Sequence, residues 1–110
     1  MNDLVEIDAI EKVHLSNNSG SFDLTDSQLT NFKKDLHCLT YEPNFSAKVG
    51  AIGITITIHG KAYHLASSTH GQYVEAHASI ATKNQDQIQA DSWLYFNTNG
   101  VNFDNYKNPN

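Results

Sequence analysis

The stretch Ala51–Ser67, AIGITITIHGKAYHLAS, sets isoleucine at positions 52, 54, 56 and 58 against Gly53, Thr55 and Thr57, then breaks at His59-Gly60. An apolar residue at every second position places one row of side chains on one face of a strand. Gly60 accepts the positive φ that a tight hairpin turn demands. A two-residue turn then sets Ile58 opposite Lys61, Ile56 opposite Tyr63 and Ile54 opposite Leu65, so both strands bury the same face.

Working outward toward the N-terminus, residues 9–15 read as a strand with Val13 and Leu15 on one side, followed by a polar turn over Asn17–Gly20. Phe22 and Leu24 form a short return strand. Thr25 with Gln28 three residues on has the spacing of a capping box, and Leu24 with Leu29 that of a hydrophobic staple. The helix they start turns Leu29, Phe32, Leu36 and Leu39 inward and Lys33, Lys34 and Asp35 to water, and ends near Thr40, ahead of Pro43.

Toward the C-terminus, Tyr41–Asn44 reads as a loop and Phe45–Val49 as a segment pairing with the hairpin. Gln72–Ile80 alternates Val74, Ala76, Ala78 and Ile80 with polar residues, as a further strand does. Asn84 and Gln87 suit a capped helical turn. Trp93–Phe96 is a strand with Trp93 expected in the core, and Val101 and Phe103 return beside it. The pattern as a whole predicts an α+β fold: one main helix packed on one face of an antiparallel sheet of short strands joined by hairpins. Residues 1–110 read as one domain, with frayed ends near 1–6 and 106–110.

The 110 residues carry a net charge of −5, 39% hydrophobic residues and only 17% charged ones, a composition that supports an ordered core. All basic residues are lysine. Without arginine, and with an acidic balance, the chain lacks the usual reader of phosphates and guanine edges, so nucleic acid is not an expected partner. A basic protein suits this surface better. No stretch approaches the roughly 20 apolar residues of a membrane span, and MNDLVEIDAIEK lacks the plan of a signal peptide. A soluble protein is expected, equally compatible with the cytoplasm and with an envelope or secreted protein trimmed of its leader. The single Cys38 reads as a small buried hydrophobe. Asn17-Asn18-Ser19 and Asn44-Phe45-Ser46 match glycosylation sequons, which a chain this rich in Asn and Ser produces by chance.

Setting Ser67 opposite Gln72 places His64 opposite Glu75, Ala62 opposite His77 and Ala66 opposite Tyr73. Thr57, His64, Tyr73, Glu75 and His77 then share the face turned away from the helix. This face is the candidate protein-binding surface, with Tyr73 as anchor. His64, Glu75 and His77 are also candidate metal ligands, because two imidazoles and a carboxylate can hold a divalent ion and activate water. The Glu-x-His spacing alone is a weak signal, and no cofactor is expected. Ser67, Ser68 and His70 lie close in sequence but lack a nucleophile elbow. The sequence therefore favours noncatalytic recognition of another protein, as by an inhibitor or neutralising partner. A metal-binding protein or metal-dependent hydrolase is the alternative, and a module holding a small apolar ligand between helix and sheet the third. Unpaired sheet edges offer a route to self-association.

Overall fold

The computed structural model describes residues 1–68 and 71–110. Strands form at Ile10–Asn17 (β1), Gly20–Asp23 (β2), Thr40–Tyr41 (β3), Ile52–Ile58 (β4), Lys61–Ser67 (β5), Tyr73–His77 (β6) and Trp93–Asn97 (β7), and a helix at Asp26–His37 (α1). Among the described residues the strands make one sheet in the order β2-β1-β4-β5-β6-β7-β3, antiparallel at every pairing. The expected α+β architecture is present. No helix of the described residues is long and apolar enough to cross a membrane.

The central hairpin has the register that its alternation demands: Ile58 faces Lys61, Ile56 faces Tyr63 and Ile54 faces Leu65. His59 (φ 50°) joins Gly60 (φ 76°) in the left-handed region, so both turn residues take the positive φ of a twist-compatible hairpin. β1 pairs with the other side of β4, with an irregularity between Ile10 and Lys12 that lets Ile10 and Val13 both face inward. Glu11 there accepts a hydrogen bond from the Gly60 amide at 2.7 Å.

Both halves of the capping box form. The Gln28 amide donates to Thr25 Oγ1 at 3.2 Å and the Thr25 amide to Gln28 Oε1 at 3.0 Å. The helix carries the chain from the β2 edge toward the β3 edge, six strand spacings or roughly 29 Å away. Its 12 residues span about 18 Å, so the turns at its two ends complete the crossing. It stops at His37, and Thr40 and Tyr41 form β3, where the end of the helix and the start of a loop were expected. Leu39 still lies buried.

The core joins Phe32 and Leu36 of the helix to Val13, Leu15, the four isoleucines of β4, Leu65, Val74, Ala76, Leu94 and Phe96. Leu29 and Tyr63 pack against it half-buried. Asp35, expected in water, is half-buried and receives the Tyr106 hydroxyl. Within the end segments 1–6 and 106–110, Lys107, Pro109 and Asn110 are exposed, while Met1, Leu4, Val5 and Tyr106 are buried in this core. They close the end and flank of the helix–sheet layer, which one 12-residue helix is too short to cover.

Four other expectations give way to packing. Phe45–Val49 does not pair with the hairpin, because β1 occupies the free edge of β4. β6 ends at His77, and Ala78 and Ile80 reach the core from a 3₁₀ turn instead. Asn84 adopts a left-handed backbone and donates its side-chain amide to the Asp3 carbonyl at 2.8 Å, so it caps nothing. Phe103 sits in a 3₁₀ turn against Phe32, since β3 has taken the edge of β7 beside which a strand was expected.

Tyr106 supplies a pH test of this packing. Burial first, and its hydrogen bond to Asp35 second, push the phenol well above its ordinary value of 10.0. A raised phenol contributes stability that is present below about pH 10 and lost as the pH climbs further, because the unfolded chain ionises first. Tyr106→Phe should therefore flatten the alkaline fall in urea midpoint between about pH 9 and pH 11. An equally steep fall in the variant would contradict the assignment.

Candidate functional site

The alternating residues of the central strands leave Lys12, His14, Thr55, Thr57, His64, Tyr73, Glu75, His77, Trp93 and Tyr95 on the sheet face away from the helix. The five residues singled out from sequence, Thr57, His64, Tyr73, Glu75 and His77, do share this face. Their mutual arrangement differs from expectation. β5 and β6 pair with Ser67 opposite Val74 and Ala66 opposite Glu75, two residues out of the expected register.

A two-residue slip keeps every side chain on its own face, so burial cannot distinguish the two pairings. The residues leading into β6 are held to the end of β7. The Thr98 amide donates to the Gln72 carbonyl at 3.0 Å, and Thr98 Oγ1 donates to the Gly71 carbonyl. Gly71 has φ 66°, and a Cβ there would lie 3.0 Å from the Val101 carbonyl oxygen, so the close approach of these two turns requires glycine.

As a result His64, Glu75 and His77 each meet a different partner. His64 Nδ1 lies 3.0 Å from Thr55 Oγ1. Glu75 accepts the Tyr95 hydroxyl at 2.6 Å, which, with burial, raises the Tyr95 phenol above its ordinary value. His77 Nδ1 accepts the Ser79 amide at 3.1 Å, and its Nε2 lies 3.9 Å from Asp91. No three His, Cys, Asp or Glu side chains converge on a metal-sized site among the described residues. His70 lies outside the described residues, and with it the Ser67, Ser68 and His70 grouping.

Tyr73 is not a free anchor, because Phe45 stacks on it with ring centroids 4.5 Å apart. The same phenylalanine meets Tyr95 edge-on at 6.2 Å and is itself 36% exposed. Trp93, expected in the core, is 55% exposed. Leu94 and Phe96 take the inward positions of β7, which turns Trp93 and Tyr95 outward, and the indole stands edge-to-face with His77 at 5.3 Å. The outward row thus reads Trp93, His77, Tyr95, Glu75, Tyr73 and Phe45. Sequence reasoning identified three of these six; the exposure of Trp93 follows from the pairing that sets Leu94 inward beside Ala76.

Histidine–carboxylate pairs recur elsewhere on the surface, at His14–Asp23 (2.9 Å), His37–Asp8 (3.0 Å) and His59–Glu6 (3.5 Å). The hydrogen bond from His37 holds the Asp8 carboxyl below the usual carboxylate range. Cys38, expected to be buried, is exposed, and its thiol lies 3.5 Å from the Lys34 carbonyl. The volume between helix and sheet, where an apolar ligand was considered, is filled by Phe32, Phe103 and Tyr106 with ring centroids 5.4–6.4 Å apart. An open groove of about 810 Å³ lies outside it, between the helix and residues 99–107, and its lining is rich in side-chain amides.

The fold and this face define a small α+β domain whose sheet carries an aromatic row on the side away from the helix, with Trp93 exposed and Tyr95 largely buried beside Phe45. Comparison with protein-family models, curated proteins and solved structures finds no match to this chain.

Proposed function

We propose that this protein is a noncatalytic recognition module that binds another protein, as an inhibitor or neutralising partner does, through the outer face of β6 and β7. The observation that carries this reading is Trp93. An indole 55% exposed in a regular strand, beside His77 and the Phe45, Tyr73 and Tyr95 group, has the character of an interface anchor. The groups suited to acid–base chemistry on this face are engaged structurally: Glu75 with Tyr95, His64 with Thr55 and His77 with Ser79. Thr57 and His64 extend the surface toward the centre of the sheet. The net charge of −5 favours a basic partner.

The test is affinity capture of partners identified by mass spectrometry, followed by measured affinities of variants. Trp93→Ala should weaken binding about tenfold or more, ~1.4 kcal/mol, while Lys34→Ala on the helix leaves it unchanged. Added salt should slow association. A captured partner that binds the Trp93→Ala and Tyr73→Ala proteins as tightly as the parent would refute this surface.

A further inference from the structure

Beside His77 the chain folds over itself between residues 78 and 91 and leaves a depression of about 360 Å³. That is at the small end of ligand sites, which run roughly 300–1,000 Å³, and suits one side chain better than a cofactor. Ala78, Ala81, Ile88 and Ala90 make the apolar half of its lining, and His77, Ser79, Gln85 and Asp91 the polar half. His77 belongs to both features, since its ring also meets the edge of Trp93. The depression therefore continues the aromatic row.

Asp91 is held in the left-handed region at φ 60° with its side chain 97% exposed. Its nearest basic group is His77 Nε2 at 3.9 Å, and the imidazole is fixed from its other nitrogen by Ser79. The segment Asn84–Trp93 carries Asp86 and Asp91 and no lysine. Lys83, just before it, turns its ammonium to the Asn2 carbonyl at 3.0 Å. Apolar walls ending at an exposed carboxylate match a side chain with an apolar stem and a cationic head.

We propose that this depression receives a lysine side chain of the partner protein, its methylenes against Ala78, Ala81 and Ile88 and its ammonium on Asp91. This rests on the recognition reading above. Lysine is the choice because its flexible four-carbon stem can run along Ala78, Ala81 and Ile88 and still set its ammonium on Asp91, with Ser79 and Gln85 as further polar groups of the lining.

The experiment titrates the protein with acetyl-Gly-Lys-Gly-amide and with the same peptide carrying norleucine or arginine. Amide chemical shifts and the fluorescence of Trp93, the chain's single tryptophan, report binding. The lysine peptide should shift Ala78, Ile88 and Asp91 saturably, and Asp91→Asn should weaken it about threefold to fivefold, the range of an exposed ion pair. Asparagine tolerates the left-handed backbone, so this variant keeps the turn. Equal binding of the norleucine peptide, tighter binding of the arginine peptide, or no saturable shift at these three residues would overturn the proposal. Should a captured partner lose affinity on Trp93→Ala yet bind the Asp91→Asn protein unchanged, the lysine pocket falls and the recognition reading stands. If Trp93→Ala has no effect, the recognition reading falls, and the pocket with it.

Discussion

Replacing Phe32 with alanine should lower the stability of this protein by about 3–5 kcal/mol, the range for fully buried aromatics. The ring is 0% exposed and is the point where three parts of the chain meet. Phe103 packs on it at 5.4 Å and 51°, and Tyr106 edge-on at 5.7 Å and 67°. Each aromatic pair adds about 0.5–1.5 kcal/mol beyond area burial. The cavity cannot close easily, because the helix is held at its start by the capping box and Tyr106 is tethered to Asp35 one turn further along it. Leu29→Ala, at a half-buried position of the same helix, should cost clearly less. Urea unfolding with an unchanged m-value measures both, and a Phe32→Ala loss below about 1.5 kcal/mol would mean that the aromatic cluster contributes little to stability.

Asn17→Ala should cost about 2–4 kcal/mol, taking the lower part of a range of about 1–3 kcal/mol for each of two carbonyls deprived of a part-buried hydrogen bond. The Asn17 side-chain amide donates to the carbonyls of Phe103 at 2.8 Å and Tyr106 at 2.7 Å. Its oxygen accepts the Ser19 amide at 2.9 Å. One side chain therefore ties the β1–β2 turn to the C-terminal segment, 86 and 89 residues away in sequence. Asn17→Asp keeps the shape and the acceptor but turns an anionic oxygen toward two carbonyls, and should be no better tolerated than alanine. Hydrogen exchange should show residues 103–108 losing protection in both variants. A stable Asn17→Asp protein with unchanged exchange would show that the bonds to Phe103 and Tyr106 contribute little. The same geometry makes Asn17 a poor glycosylation acceptor despite its sequon, since its amide nitrogen is engaged inside the fold.

The hairpin register was legible because alternation of period two, a two-residue turn and one buried face all restrict the same variable. The helix start was legible for a similar reason, since Thr25 and Gln28 satisfy each other's backbone within four residues. The β5–β6 register was not, because a slip by two residues leaves the pattern of burial unchanged. That slip set Glu75 opposite Ala66 and not opposite His64. Trp93 was misplaced for a related reason: Trp93-Leu94-Tyr95-Phe96 is apolar in both phases, so its alternation does not say which pair faces in.

Local periodicity, capping chemistry and turn residues by themselves determined that this chain forms a helix on an antiparallel sheet with Val13, Leu15, Phe32, Leu36 and the isoleucines of β4 inside. Each of those signals lies within a few residues of chain. Tertiary structure alone decided that Met1, Val5 and Tyr106 enter the core, that β3 and β2 are the sheet edges, and that Trp93, His77 and Asp91 come together on the outer face. Those outcomes depend on contacts between distant segments competing for the same edge or the same volume, and a linear pattern carries no record of which segment wins.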